Sequence, residues 1–204
     1  PPGESLAAPE LKALSPATLE GRIQRMEWAP LNLDAPKKMT VAGAQQKLLV
    51  VVGADGALFE PVGSQPSSHV FKPDARSASY PASAVNEWFC ARVAQRLGLN
   101  VPPVELRHVP SSVYVIKRFD REWDQGLLRR RHIIDAAQLL SIDAAYKYGR
   151  SGADALRDVI QKIRVKATAR RDIFRWVVFN VLIGNSDAHL KNLSLYASRE
   201  GYAL

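Results

Sequence analysis

At 204 residues, 47% of them hydrophobic, the chain is long enough for one large domain or two small lobes with their own cores. Its 28 lysines and arginines against 20 acidic residues leave a formal charge of +8, a field that attracts nucleotides, nucleic acid or an acidic protein. No run of eighteen apolar residues occurs, no secretory leader is visible at Pro1-Pro2-Gly3, and the single cysteine, Cys90, rules out an internal disulfide; the expectation is a soluble cytoplasmic protein with no membrane contact.

Residues 1–38 are rich in proline, alanine and charge and read as an N-terminal segment of unclear role, with a short helix starting at Pro16 after Ser15. From residue 39 the pattern changes. The small-residue loop from Thr40 to Lys47 feeds the apolar run Leu48–Val52, Ala54-Asp55-Gly56 marks a turn, and Ala57–Glu60 reads as the returning strand of a hairpin. Such a loop before a hairpin resembles the lid over nucleotide phosphates in kinases, although Gly43 is its one glycine.

Ser68–Pro73 reads as a further strand carrying Lys72, either a phosphate-binding lysine or a surface lysine before a proline break. Val85, Trp88, Phe89, Val93 and Leu97 recur at three- and four-residue spacing, so a helix is expected over Ala84–Gly98, stopped by Gly98. Glu87 lies on that helix. Lys72–Glu87 is therefore a candidate for the ion pair that orients the phosphate-binding lysine in protein kinases, with a solvated glutamate as the alternative. Cys90, on the same helix, reads as a small core residue.

Val113–Arg121 is a β-rich run that turns polar at its end, as the last strand of a small lobe and its hinge do. Beyond it the pattern becomes helical over Ile133–Leu140, Gly152–Val165 and Arg171–Ile183. Strands first and helices afterwards predict an α+β, two-lobed protein-kinase-like fold. The β-rich nucleotide-binding lobe is assigned to 39–121 and the helical lobe to 122–204. Basic residues crowd this second half (Arg129-Arg130-Arg131, Lys147, Arg150, Arg164, Arg170, Arg171 and others) but are interrupted by aspartates, so they read as a solvated face, with a nucleic-acid-binding module as the alternative.

The run Gly184-Asn185-Ser186-Asp187-Ala188-His189-Leu190-Lys191-Asn192 follows an almost wholly apolar helix, expected to be buried. It sets Asp187 and Asn192 five residues apart, as phosphoryl-transfer enzymes of the protein-kinase kind require. There an Asp orients or accepts the proton of the attacking hydroxyl, and an Asn on the same loop holds a magnesium ion. Ordinary turn chemistry, with Gly184 ending the helix and Asp187 capping the next segment, is the alternative reading.

Taken together, Val41-Ala42-Gly43-Ala44-Gln45-Gln46-Lys47, Val70-Phe71-Lys72, Asn86-Glu87-Trp88-Phe89-Cys90 with Leu97-Gly98-Leu99-Asn100-Val101-Pro102, Arg118-Phe119-Asp120-Arg121 and Ile183-Gly184-Asn185-Ser186-Asp187-Ala188-His189-Leu190-Lys191-Asn192 resemble the HipA-type serine/threonine kinases, toxins of bacterial toxin–antitoxin pairs. The resemblance implies ATP contacts from Ala44, Gln45, Gln46, Lys47, Leu48, Leu49, Lys72, Lys117, Arg118, Phe119, His189, Leu190, Lys191 and Asn192. It implies Asp187 as the catalytic acid–base residue and Asn192 as a Mg2+ ligand. In the family the phosphorylated protein can be an aminoacyl-tRNA synthetase, and a DNA-binding antitoxin restrains the kinase and links it to DNA.

Two departures from the family stand out. The serine whose autophosphorylation silences relatives is replaced by Ala42, which leaves Thr40 as the candidate for that modification. The second magnesium-binding aspartate finds no match between Asn192 and Leu204, so the helical lobe is expected to be incomplete at its C-terminus and the chain a fragment. A non-catalytic ATP-binding regulatory fragment is the alternative this second departure favours. A small-molecule kinase, suggested by the D-x-H-x-x-N pattern alone, is opposed by the Gly-Ala-Gln loop.

Overall fold

The computed structural model describes residues 8–36, 45–125, 127–143 and 152–204. It is a mixed α and β structure with antiparallel sheets, and its residues fall into two compact units. The first runs to Val93 and resumes over Val101–Arg129; the second joins Ala94–Asn100 to Arg130–Leu204. The first unit takes in the segment before residue 39 and includes the ribbon up to Arg129.

In the first unit, strands β1 (Glu10–Ala13), β2 (Leu48–Val52), β3 (Leu58–Val62), β4 (His69–Pro73), β5 (Val104–His108) and β6 (Ser112–Lys117) form one sheet in the order β1-β3-β2-β4-β6-β5. β2, Leu-Leu-Val-Val-Val, is buried along nearly its whole length because it lies centrally and both of its faces are covered. Successive side chains of a strand point to opposite faces. One face presents Leu48, Val50, Phe71, Val113 and Val115, which pack with Leu14, Leu19, Ile23, Met26 and Leu31 in a single core.

The segment of unclear role is thus half of that core. Its helix α1 (Pro16–Gln24) starts where Ser15 accepts a hydrogen bond from the Thr18 amide (3.1 Å) and Pro16 supplies a pre-set first turn. From α1, Arg22 reaches Glu60 of β3 with two hydrogen bonds of 2.6 and 3.1 Å, their side chains 6% and 2% exposed. Burying two charges is tolerated here because each satisfies the other.

The opposite face carries Lys72 and Tyr114, paired across β4 and β6. Here lies the N-terminal part of helix α2 (Ser83–Arg96), whose Glu87 bonds Lys72. Cys90, one turn after Asn86, is half-buried rather than a core residue. β7 (Arg121–Asp124) and β8 (Leu127–Arg130) form a separate two-stranded ribbon.

The second unit is not purely helical. Ile133–Asp135, expected to open a helix, is strand β9; it pairs with β10 (Ser194–Ser198), which pairs in turn with β11 (Gly201–Ala203). The helix begins only at α3 (Ala136–Leu139), because Asp135 and Gln138 form a reciprocal capping box. Helices α4 (Ala153–Lys162) and α5 (Lys166–Leu182) add Val159, Ala169 and Ile173 to a core shared with Ala136, Leu190, Leu193 and Leu195. Helix α5, expected to be buried, buries one side only: Phe174, Val181 and Leu182 are 68%, 73% and 78% exposed. Among the described residues, no helix is long and apolar enough to cross a membrane.

Candidate active site

Lys72 follows Phe71 on β4. Phe71 is fully buried in the core face, so strand alternation turns Lys72 to the other face. There its ammonium forms an ion pair with Glu87 and sits 5.8 Å from the Tyr114 ring centroid. Lys47, at the start of β2, belongs to the same electrostatic cluster: burial lowers its pKa, repulsion from Lys72 adds to this, and Glu87 partly offsets it. Burial, reinforced by Glu87 and by Cys90, pushes the Tyr114 hydroxyl well above its ordinary range and keeps it neutral. Two ammonium groups around one carboxylate leave a net positive site suited to phosphate oxygens.

The flanks of this cluster are occupied. Gln45 donates to the Pro73 carbonyl (3.2 Å). Gln46 accepts from the Leu31 amide (2.6 Å) and donates to the Met26 carbonyl (2.9 Å), so its side chain fastens the end of the loop to the segment after α1. Leu48 and Leu49 are buried, Leu48 in the core itself. Thr40, Ala42, Gly43 and Ala44 lie outside the described residues.

In the hinge run, Lys117 and Phe119 are exposed, and the Lys117 amide donates to the Pro103 carbonyl (2.9 Å). The Arg118 side chain turns away to Asp120 (2.9 and 2.7 Å) and to the Ser67 hydroxyl (3.1 Å). Arg121 closes the clamp on Asp120 (2.7 Å) and on the Ser67 carbonyl (3.0 Å). Burial alone raises the Asp120 pKa, but the bonds and charges of Arg118 and Arg121 outweigh it and hold the carboxyl below the usual range.

The second cluster sits between α5 and β10. Gly184 ends the helix region with a φ of +66°, which a side chain would strain, and a 3₁₀ turn follows at Leu190–Asn192. The Asp187 carbonyl accepts from the His189 amide (3.0 Å) and from the Asn192 carboxamide (2.5 Å), so the two residues of the D-x-x-x-x-N pattern close on one another. His189 Nε2 lies 3.5 Å from Asp187 Oδ1. His189 is buried, while the Asp187 side chain is 66% exposed.

Leu190 is in the core of the unit, so its side chain anchors the loop from below; Lys191 is half-buried. An exposed carboxylate on an anchored loop, with a carboxamide locked beside it, can accept a proton and offer oxygen ligands to a hard cation.

Two residues with no role assigned from sequence belong to this cluster. Asn180 of α5 is buried, and its Oδ1 accepts from Asn185 Nδ2 (2.7 Å). The one signal for Asn180 in the sequence is a carboxamide inside the apolar run Val177-Val178-Phe179-Asn180-Val181-Leu182. Four arginines of the basic field form ion pairs within the chain, Arg129 with Asp124, Arg157 with Asp154, Arg164 with Glu200 and Arg171 with Asp172, and Arg131 stacks over Tyr196. Lys147 and Arg150 lie outside the described residues.

A family model described as the HipA-like C-terminal domain matches residues 39–204. The chain is 35% identical, over 80% of its length, to a putative kinase of Sinorhizobium fredii, covering 40% of that protein. It is 33% identical, over 92% of its length, to the serine/threonine-protein kinase toxin HipA of Shewanella oneidensis, covering 47% of that protein. Its fold superposes on the Shewanella oneidensis complex of HipA, HipB and operator DNA with a TM-score of 0.79 and 30% identity, covering 99% of this chain and 50% of that one. The chain thus spans about half the length of the relatives it matches.

Proposed function

The chain belongs to the HipA-like C-terminal domain family, and from that premise we propose that it carries the nucleotide-binding and catalytic residues of an ATP- and Mg2+-dependent serine/threonine protein kinase of two-lobed architecture. The observation that carries this reading is the Lys72–Glu87 ion pair. A strand lysine held by a helix glutamate is the device that presents a point charge to the α- and β-phosphates.

In this reading Lys72 binds the phosphates, supported by Lys47, and the run Lys117–Phe119 lies along the adenine edge. Asp187 orients the attacking hydroxyl and takes up its proton, and the bond from Asn192 Nδ2 to the Asp187 carbonyl leaves Asn192 Oδ1 as the ligand oxygen. Asn192 Oδ1 would be the one protein oxygen offered to magnesium, with no match for the second aspartate between Asn192 and Leu204. That ion takes one or two protein oxygens and completes its shell with phosphates and water, and among the described residues no cluster of three His, Cys, Asp or Glu forms a cage that would favour another metal. Bound with the nucleotide, it neutralises charge on the transferring phosphoryl group.

The phosphoacceptor is then a hydroxyl on a protein, with an aminoacyl-tRNA synthetase as the expected target and growth arrest as the result. The relative whose structure contains HipB and operator DNA supports a DNA-binding antitoxin as the restraining partner here too. DNA contact then comes through that antitoxin.

Calorimetric titration of the chain with ATP, with and without Mg2+, tests the proposal. Saturable binding is expected, weakened about tenfold or more in Lys72→Ala, a loss of about 1.4 kcal/mol. A chain that melts cooperatively yet binds no ATP sinks the reading.

A further inference from the structure

The end of helix α5 is built in an unusual way. The Gly184 amide bonds the Val181 carbonyl (3.1 Å) and the Asn185 amide bonds the Asn180 carbonyl (2.9 Å), the two bonds of a Schellman helix stop. In such a stop, the two residues standing where Asn180 and Asn185 stand usually make an apolar contact. Here both are asparagines, and Asn185 Nδ2 donates to Asn180 Oδ1 (2.7 Å). Asn180 Nδ2 donates to the Trp176 carbonyl (2.8 Å), so the buried carboxamide is satisfied on both sides. Asn185 Oδ1 then accepts from the Asp187 amide (3.1 Å), an Asx turn that sets the backbone of that residue.

An apolar pair would end the helix equally well. It would leave no acceptor for the Asp187 amide. The carboxamides therefore do something that helix termination does not require, and the group at the end of their chain of bonds is Asp187.

We infer that Asn180 and Asn185 are positioning residues for phosphoryl transfer: the Asn180–Asn185 clasp transmits the rigid frame of α5 to the Asp187–Asn192 loop. This inference rests on the kinase reading for its catalytic consequence and on the loop geometry for the clasp itself. The test separates the two.

The double variant Asn180→Leu/Asn185→Leu restores the apolar contact of an ordinary helix stop, so the fold is kept, and removes the acceptor. Asn185→Ser keeps an oxygen to accept from the Asp187 amide and a hydroxyl proton to donate to Asn180 Oδ1, so Asn180 Nδ2 stays on the Trp176 carbonyl. Backbone 15N relaxation is measured over Asp187–Asn192 in all forms, and ATP-dependent phosphoryl transfer is followed in parallel.

Order parameters near about 0.85 are expected in the parent and in Asn185→Ser, falling towards about 0.6 in the double variant. The double variant should also lose about 10- to 100-fold in kcat with the KM for ATP unchanged within about twofold, the signature of a misplaced group rather than a lost binding contact. Unchanged order parameters in the double variant, or equal loss of order in Asn185→Ser, overturn the inference. A parent chain that transfers no phosphoryl group removes the kinase reading alone, and the relaxation data still decide the clasp.

Discussion

Lys72 and Glu87 stand on strand β4 and helix α2, whereas Asp187 stands on a loop and Asn192 ends the single 3₁₀ turn that follows it. The first pair inherits its position from a six-stranded sheet whose far face is filled by Phe71, Val113 and Val115. The second pair is held by hydrogen bonds, among them those from His189 and Asn192 to the Asp187 carbonyl and from the Asp187 amide to Asn185, above the buried side chains of His189 and Leu190. The difference follows the work proposed for each. A lysine that binds phosphates needs a fixed charge, and removing it costs affinity. A carboxylate that accepts a proton needs placement to a fraction of an ångström, and losing it costs rate while affinity stays.

Asp187→Asn breaks the comparison most sharply. Its geometry is nearly that of the parent, but the carboxamide accepts no proton, so kcat should fall about 10³-fold, or about 4 kcal/mol, with ATP affinity intact. Transfer that survives this change would move the proton acceptor elsewhere and leave the loop a structural turn. Glu60→Ala tests the other side. It leaves Arg22 buried without its partner, and the sheet that carries Lys72 should lose about 3 kcal/mol of stability in urea unfolding. ATP binding should then fail at lower urea than in the parent, because the strand-mounted half draws its order from global stability. Coincident urea midpoints in parent and variant would show that the segment before residue 39 does not support the sheet.

The strand-mounted half was the more legible in the sequence. An apolar strand ending in a lysine and a periodic helix carrying a glutamate are period-2 and period-3.6 signals, and the ion pair follows once both elements pack. Gly184 was equally readable as a helix stop, since its conformation penalises a side chain. What escaped has physical causes. β1 and β5 are short and rich in charge, so only their place beside β3 and β6 makes them strands. β9 reads as the start of a helix because two isoleucines before a capping box fit either period.

The α1 segment gave no chemical signal, because its contribution is a core face and one buried arginine. Gln46 was assigned to the nucleotide and is spent on the Met26 and Leu31 backbone; contacts of that kind have no periodicity. Asn180 and Asn185 escaped because their roles depend on the hydrogen bonds of a helix stop, which appear only when the chain is folded.

The smallest expected effect sharpens the contrast by pH. His69 begins β4, three residues before Lys72, and its Nδ1 lies 2.8 Å from the Ser68 hydroxyl, which also accepts from the Val52 amide. Burial lowers the pKa of His69; Arg107 and Lys117 lower it further, and Glu105 opposes them. The folded state therefore prefers the neutral ring, while the unfolded chain titrates near its ordinary value of about 6.5. Where the unfolded state binds more protons, stability rises with pH. The contribution of His69 is fully present above about pH 6.5 and is lost as the pH falls from there through the lower folded-state pKa. Urea unfolding followed at pH 7.5, 6.5 and 5.5 should show the first unit weakening on acidification, and His69→Gln should flatten that slope. A slope unchanged in His69→Gln would assign the acid sensitivity to other groups, and would leave the strand that carries Lys72 without a proton-linked weakness in this range.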